Sequence, residues 1–324
     1  MSGTEFSHQP VMVTEIVALF GEVPAGTVVD ATVGGGGHAR ALLDAHPHLR
    51  LVGLDQDPDA VEAARTRLAG VDDRVTLART RFDRLAETVH GLGLDAVSGV
   101  LFDLGVSSPQ LDRPERGFSY RADAPLDMRM DPDGPTTAAD IVNGWPEADL
   151  ARLLRDLADE RYAGRIAAAI VRARPVAGTA ALADLVRDAI PAPARRRGGH
   201  PAKRTFQALR IEVNAELEHL PPAIDTALDL LAPGGRCAVL AYHSGEDRIV
   251  KERFRHAATG GCTCPPGLPC VCGALPTVRL LKRGAWKPSA AEVAANPRAE
   301  SARLRAAERL PPEGSRADRT EGAA

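Results

Sequence analysis

Lysine is scarce in this 324-residue chain: only four of its 40 basic residues are lysine, namely Lys203, Lys251, Lys282 and Lys287. With the abundance of alanine, that reads as high-GC codon bias rather than chemistry. The formal charge of −3 excludes a uniformly basic nucleic-acid coat, though a local basic patch remains open. Cysteine is also sparse, and the odd count of five fits reduced thiols or a metal site better than a disulfide framework. No apolar run reaches the roughly 18 residues that a membrane-spanning helix needs. The opening MSGTEFSHQPVMVTEIV carries acids and no basic stretch, so a secretory signal is not expected. The expected location is the cytoplasm. What remains is ordinary for a soluble globular protein, with 44% hydrophobic and 26% charged residues.

Strand and helix patterns alternate from the start. TVVDATV (27–33), RLVGLD (50–55), RVTLA (74–78) and AVSGVLFDLG (96–105) read as strands. Between them lie helical segments such as PDAVEAARTRL, with Pro58 in its first turn. This rhythm predicts an α/β fold, a doubly wound parallel sheet with helices on both faces. It breaks near residue 109, and no buried strand is evident up to 206. EADLARLLRDLADERYAGRIAAAIVRAR instead repeats apolar residues at helical spacing (Leu150, Leu153, Leu154, Leu157, Ile166, Ile170). The expected division is a sheet domain over 1–110, an all-helical insertion over 111–206, a return to the sheet over 207–310 and a disordered tail over 311–324. RCAVLAYH (236–243) supplies a further strand, VRLLKR and ESARLRAAERL a closing hairpin, and Cys237 a small core residue.

The first strand runs into DATVGGGGHA (30–39). Glycine at a helix start lets a ligand lie against unpaired N–H groups. Gly34, Gly36 and Ala39 satisfy G-x-G-x-x-[GA], and Asp55 closes the second strand where such folds place a carboxylate on a ribose diol. An adenosine-type ligand follows, but not its identity. An NAD-dependent oxidoreductase stays open here, as does a non-catalytic RNA-binding assembly factor. Asp103 directly follows the apolar run VSGVLF, where open sheets of this type bind ligands.

Longer motifs narrow the choice. HQPVM (8–12), DATVGGGGHA, LDQDPDA (54–60), FDLGVSSPQLD (102–112), RGFSY (116–120), PLDMRMD (125–131), RTFQALRIEVN (204–214), YHSGEDRIVK (242–251) and NPRAESARLRAAER (296–309) occur in order along nearly the whole chain. Together they resemble the bacterial 16S ribosomal RNA cytosine-N4 methyltransferases of the MraW type. That resemblance implies a class I (Rossmann-like) methyltransferase domain with a helical insertion and S-adenosyl-L-methionine as cofactor. The implied substrate is a cytidine in the decoding (P-site) region of 16S ribosomal RNA within the small subunit. It further implies that Gly36, Gly37 and His38 line the cofactor pocket, Asp55 holds the ribose and Phe82 flanks the adenine. Asp103 and Gln110 are implied near the methionine end and the transferred methyl, with Asp103 the catalytic candidate.

Three features stand apart. Phe118, Tyr120 and Trp145 are candidates to stack on an unstacked base, against the simpler reading of core packing. Arg195, Arg196, Arg197, Lys203, Arg204 and Arg210 fall in a stretch without acids, either a solvated loop or a phosphate contact. CTCPPGLPCVC places Cys262, Cys264, Cys270 and Cys272 within eleven residues, as a zinc knuckle, surface thiols or a redox-sensitive loop.

Overall fold

The computed structural model describes residues 10–107, 110, 113–195, 199–265 and 271–312. All but the first two residues of the expected tail, and most of the RRRGG segment, lie outside these residues. The described chain forms two compact units. One comprises the residues up to Gly105 and from His219 onward; the other runs from Val106 to Glu218.

The first unit is built on a seven-stranded sheet. Its strands are β1 (Gly26–Asp30), β2 (Leu49–Asp55), β3 (Val75–Arg79), β4 (Val97–Asp103), β5 (Leu231–Ala241), β6 (Val278–Leu280) and β7 (Arg303–Arg309), in the order β3-β2-β1-β4-β5-β7-β6. β1 to β5 are parallel, and β7 inserts antiparallel between β5 and β6. The strand order reverses between β1 and β4, and open α/β sheets bind ligands beyond the carboxyl ends at that crevice. Asp30, Asp55 and Asp103 are the last residues of β1, β2 and β4. β1 and β4 thus stop sooner than the apolar runs suggest, at the acids rather than at Val33 and Gly105.

Both faces of the sheet are covered. Val28, Leu101, Ala238, Leu240 and Leu304 pack on one side with Ile16 and Phe20 of α1 (Val13–Phe20) and Leu42 of α2 (Gly37–Ala45). Val29, Val100, Phe102 and Val239 face the other side. They meet Leu85 and Val89 of α4 (Leu85–Gly91), Ile224 and Ala227 of α10 (Glu216–Leu230), and Phe254 of α11 (Ser244–Thr259). Adjacent residues therefore serve opposite cores, which is why the parallel strands read as continuous apolar runs. Alongside β2, α3 (Pro58–Arg67) starts at an Asp57 cap that accepts the Asp59 N–H at 3.0 Å.

The second unit is helical: α5 (Ala138–Gly144), α6 (Glu147–Ala158), α7 (Ala163–Ala173), α8 (Thr179–Ala189), a single turn at Ala192–Arg195, and α9 (Lys203–Val213). Leu150, Leu154, Ile166, Ile170, Leu182, Val186, Phe206 and Leu209 share its core. The long helical pattern from 147 is two helices, not one. Asp159 adopts a left-handed conformation (φ 50°) at the end of α6, and the chain turns there. The unit extends beyond 206 because Phe206, Ala208 and Leu209 on α9 belong to its core. The next helix, α10, begins at Glu216 and carries Pro221 and Pro222 inside it.

Candidate active site

The carboxyl ends of the central strands gather a small polar network in the first unit. Thr32, just past β1, accepts the backbone N–H of Asp103 through its hydroxyl at 2.6 Å. Asp103 then receives two side chains. The Tyr242 hydroxyl donates to Oδ1 at 2.7 Å, and His38 Nδ1 lies 3.4 Å from Oδ2. His38 is held from behind, because its Nε2 meets the Val11 carbonyl at 2.8 Å. Within HQPVM, the Val11 backbone carbonyl thus anchors an imidazole 27 residues away. His38 is therefore more than a first-turn residue of α2.

The electrostatics are lopsided toward negative charge. Burial drives Asp30 up from the ordinary 3.8 to about 7. His38 and the Thr32 N–H pull it back, while Asp103 and Asp55 push it further up. Burial likewise raises Asp55 to about 6, against hydrogen bonds from backbone N–H groups. For His38, burial alone would lower the pKa, but the Asp103 hydrogen bond and the charges of Asp103 and Asp30 outweigh it and raise it. Burial and Asp103 also raise the Tyr242 phenol, which therefore stays a proton donor. Three carboxylates with one imidazole suit a positively charged ligand.

The glycine turn has a mixed explanation. The Gly36 N–H closes a turn on the Val33 carbonyl at 2.8 Å, and Gly36 sits at φ 75° as the cap of α2. A Cβ there would lie 3.2 Å from Cα of Ala64 in α3. At Gly37 it would strike the Pro10 ring, whereas at Gly35 it would meet nothing within 4 Å. Protein packing thus requires the third and fourth glycines, whereas the second, Gly35, borders open space. Asp55 ties the turn down, accepting the Gly34 N–H at 2.9 Å on Oδ2 and the Asp57 N–H at 2.9 Å on Oδ1. Phe82 is half-buried in a short 3₁₀ turn, its ring edge-on to Phe102 at 6.0 Å between centroids.

The other candidates belong to the second unit. Gln110 is buried, and its side-chain carbonyl accepts the Ser107 N–H at 3.0 Å. Phe118 is buried in the helical core, with Trp145 packed against it. Tyr120 stacks on His200 at 4.3 Å, so its ring already has an aromatic partner. Arg195 donates to the Ile190 and Asp188 carbonyls, Arg204 to the Asp159 carbonyl, and Arg210 pairs with both oxygens of Glu216. Arg196 and Arg197 lie outside the described residues. PLDMRMD folds into a knot: Asp127 pairs with Arg129, Arg116 reaches the carbonyls of Arg129 and Met130, and Asn214 bonds Met128 and Met130.

Two participants escaped the sequence reading. Thr32 lay inside a run read as strand. Tyr242 looked like the apolar end of the next strand, and only the pairing of β4 with β5 brings it to Asp103.

The strand order, the acids at the crevice and the glycine-capped helix fit the class that the family match establishes, a Rossmann-like methyltransferase that uses S-adenosyl-L-methionine. Residues 5–310 match the family described as the MraW methylase family, and the chain belongs to it. Curated relatives named "Ribosomal RNA small subunit methyltransferase H" are close in sequence. That of Acidothermus cellulolyticus is 57% identical over 94% of this chain and 94% of its own length. That of Thermobifida fusca is 56% identical over 94% and 93%. That of Symbiobacterium thermophilum is 53% identical over 94% and 97%. Among solved structures, an rRNA methylase from Clostridium thermocellum, described as putative, aligns over 94% of this chain at 14% identity and a TM-score of 0.44. Family membership sets the oxidoreductase alternative aside. Among the described residues, no helix is long and apolar enough to cross a membrane.

Proposed function

We propose that the protein methylates the N4 amine of a cytidine in the decoding region of 16S ribosomal RNA, within the small subunit and in the cytoplasm. The observation that carries this reading is the Asp103 carboxylate, gripped by Tyr242 and His38 at the end of β4. The donor supplies an electrophilic sulfonium methyl. Asp30 faces its ammonium group, Asp55 its ribose and Phe82 its adenine, while Gly36, Gly37 and His38 form the pocket wall.

A cytosine amino nitrogen is a poor nucleophile, because its lone pair is drawn into the ring. A strong base is not what it lacks; alignment is. Well-ordered reactants gain roughly 7–11 kcal/mol of barrier in good cases. Asp103 accepts one amino N–H and turns the lone pair toward the methyl. A carboxylate offers about four acceptor sites. Tyr242 and His38 occupy one on each oxygen and leave capacity for the amine. The base must leave its stack to reach this point, and the helical unit supplies RNA contacts.

Carbon-5 methylation fits poorly, since it needs a thiolate that adds to the ring. Within the sheet the described cysteine is Cys237, which is fully buried with its thiol pushed up by burial. The relatives' names support the ribosomal substrate. The test incubates the protein with isotopically labelled S-adenosylmethionine and small subunits lacking the mark, then maps the label by nucleoside mass spectrometry. Label on N4 of one decoding-region cytidine is expected. Label on another atom or another nucleotide would overturn the assignment.

A further inference from the structure

The loop between α11 and β6 plays no part in the site described above, yet its base is built tightly. Gly260 caps α11 in the left-handed region (φ 61°), and Gly261 follows at φ 72°. A Cβ at Gly260 would lie 2.5 Å from the backbone of Leu275, so the two limbs of the loop touch at its base. The Thr277 N–H bonds the Ala257 carbonyl at 3.0 Å and closes that base. The closure brings together cysteines ten residues apart. Sγ of Cys262 and Sγ of Cys272 are 3.6 Å apart, and Cys264 joins them with all three sulfurs within 4.8 Å of one another.

We propose that Cys262, Cys264 and Cys272 bind a structural zinc ion that clamps this loop. Zinc–thiolate bonds of about 2.3 Å in a tetrahedron put ligand sulfurs about 3.8 Å apart. The Cys262–Cys272 separation matches that edge and is well beyond the roughly 2.05 Å of a disulfide bond. Soft thiolates select zinc over hard divalent cations. The spacing C-x-C departs from the usual C-x2–4-C; here the glycine turn and the closed base, rather than a zinc-ribbon hairpin, converge the ligands. Cys270 lies outside the described residues, and the proposal stands on the three thiols named. The site is structural because it holds the connection into β6, which pairs with β7 at the sheet edge.

The test uses untagged full-length protein, purified under reductant and analysed for metal by mass spectrometry. About one zinc per chain is expected, falling below a tenth in the Cys264→Ser/Cys272→Ser double variant. Cobalt exchanged into the unaltered protein should show thiolate-to-metal charge-transfer absorption and the intense visible bands of a tetrahedral site, a readout that survives if the variant fails to fold. Only traces of metal after reloading with zinc chloride, cobalt bands without sulfur charge transfer, or full zinc retention in the double variant would each overturn the proposal.

Discussion

The Tyr242 hydroxyl donates a 2.7 Å hydrogen bond to Oδ1 of Asp103, across 139 residues of sequence. The two side chains meet because β4 and β5 run parallel in register, Asp103 opposite Leu240, and Tyr242 follows two residues later. The Asp103 carboxylate, the proposed amine acceptor, is thereby held by a residue just past a strand that the chain reaches only after the helical unit.

Tyr242→Phe removes that aim and keeps the ring. A hydrogen bond to a charged group contributes about 1.5–3 kcal/mol, so the single-turnover methylation rate should fall at least about tenfold. Donor affinity should change less than about twofold, because the phenol acts on Asp103. Rapid-quench kinetics beside calorimetric titration of the donor separate the two effects. A matching loss in both would assign Tyr242 to cofactor binding instead.

Acid should weaken donor binding. Asp30 titrates at about 7 and Asp55 at about 6 in the folded protein. Asp30 feels the charges of both Asp55 and His38, so the profile belongs to the group rather than to one residue. A cationic donor favours the ionised carboxylates. Affinity should therefore fall as pH drops below about 7, by at most about tenfold per unit for a single proton. Binding near neutrality should release protons, measurable by calorimetry in buffers of different ionisation enthalpy.

Without donor, the same shifts act on stability with the opposite slope. Folded Asp30 keeps its proton where the unfolded chain, at about 3.8, has lost it. This contribution to stability is present below about pH 4 and is lost as pH rises toward 7. Thermal unfolding across that range, with and without saturating donor, should show the donor's stabilisation growing with pH.

Much of this arrangement could be read in the chain beforehand, for identifiable reasons. The sheet was legible because buried parallel strands are continuous apolar runs, and Asp55 because it closes one; that β1 and β4 end at Asp30 and Asp103 was less plain, because apolar residues continue past both. The partners of Asp103 were harder to see. Tyr242 sits inside an apolar pattern, and the contact of His38 with Val11 depends on how the chain before α1 returns to α2. The break at Asp159 was hidden because an aspartate with positive φ leaves the helical spacing on either side intact.

The glycine run offers a paired test. Gly36→Ala places a side chain at φ 75° and against Ala64, and a left-handed alanine alone costs roughly 1–2 kcal/mol. The melting temperature should fall by several degrees. Gly35→Ala points into open space, so melting should stay nearly unchanged while donor affinity drops. Unchanged affinity in Gly35→Ala would place the donor away from this turn.

The most direct measurement concerns Asp103 itself. Asp103→Asn keeps the shape of the side chain and weakens its grip on an amino N–H. Misplacement of a reacting group costs on the order of 100-fold in rate. Single-turnover methylation of small subunits should fall by about that factor while the dissociation constant for S-adenosylmethionine moves far less. Equal losses in rate and donor affinity would contradict the amine-orienting role and leave Asp103 a cofactor contact only.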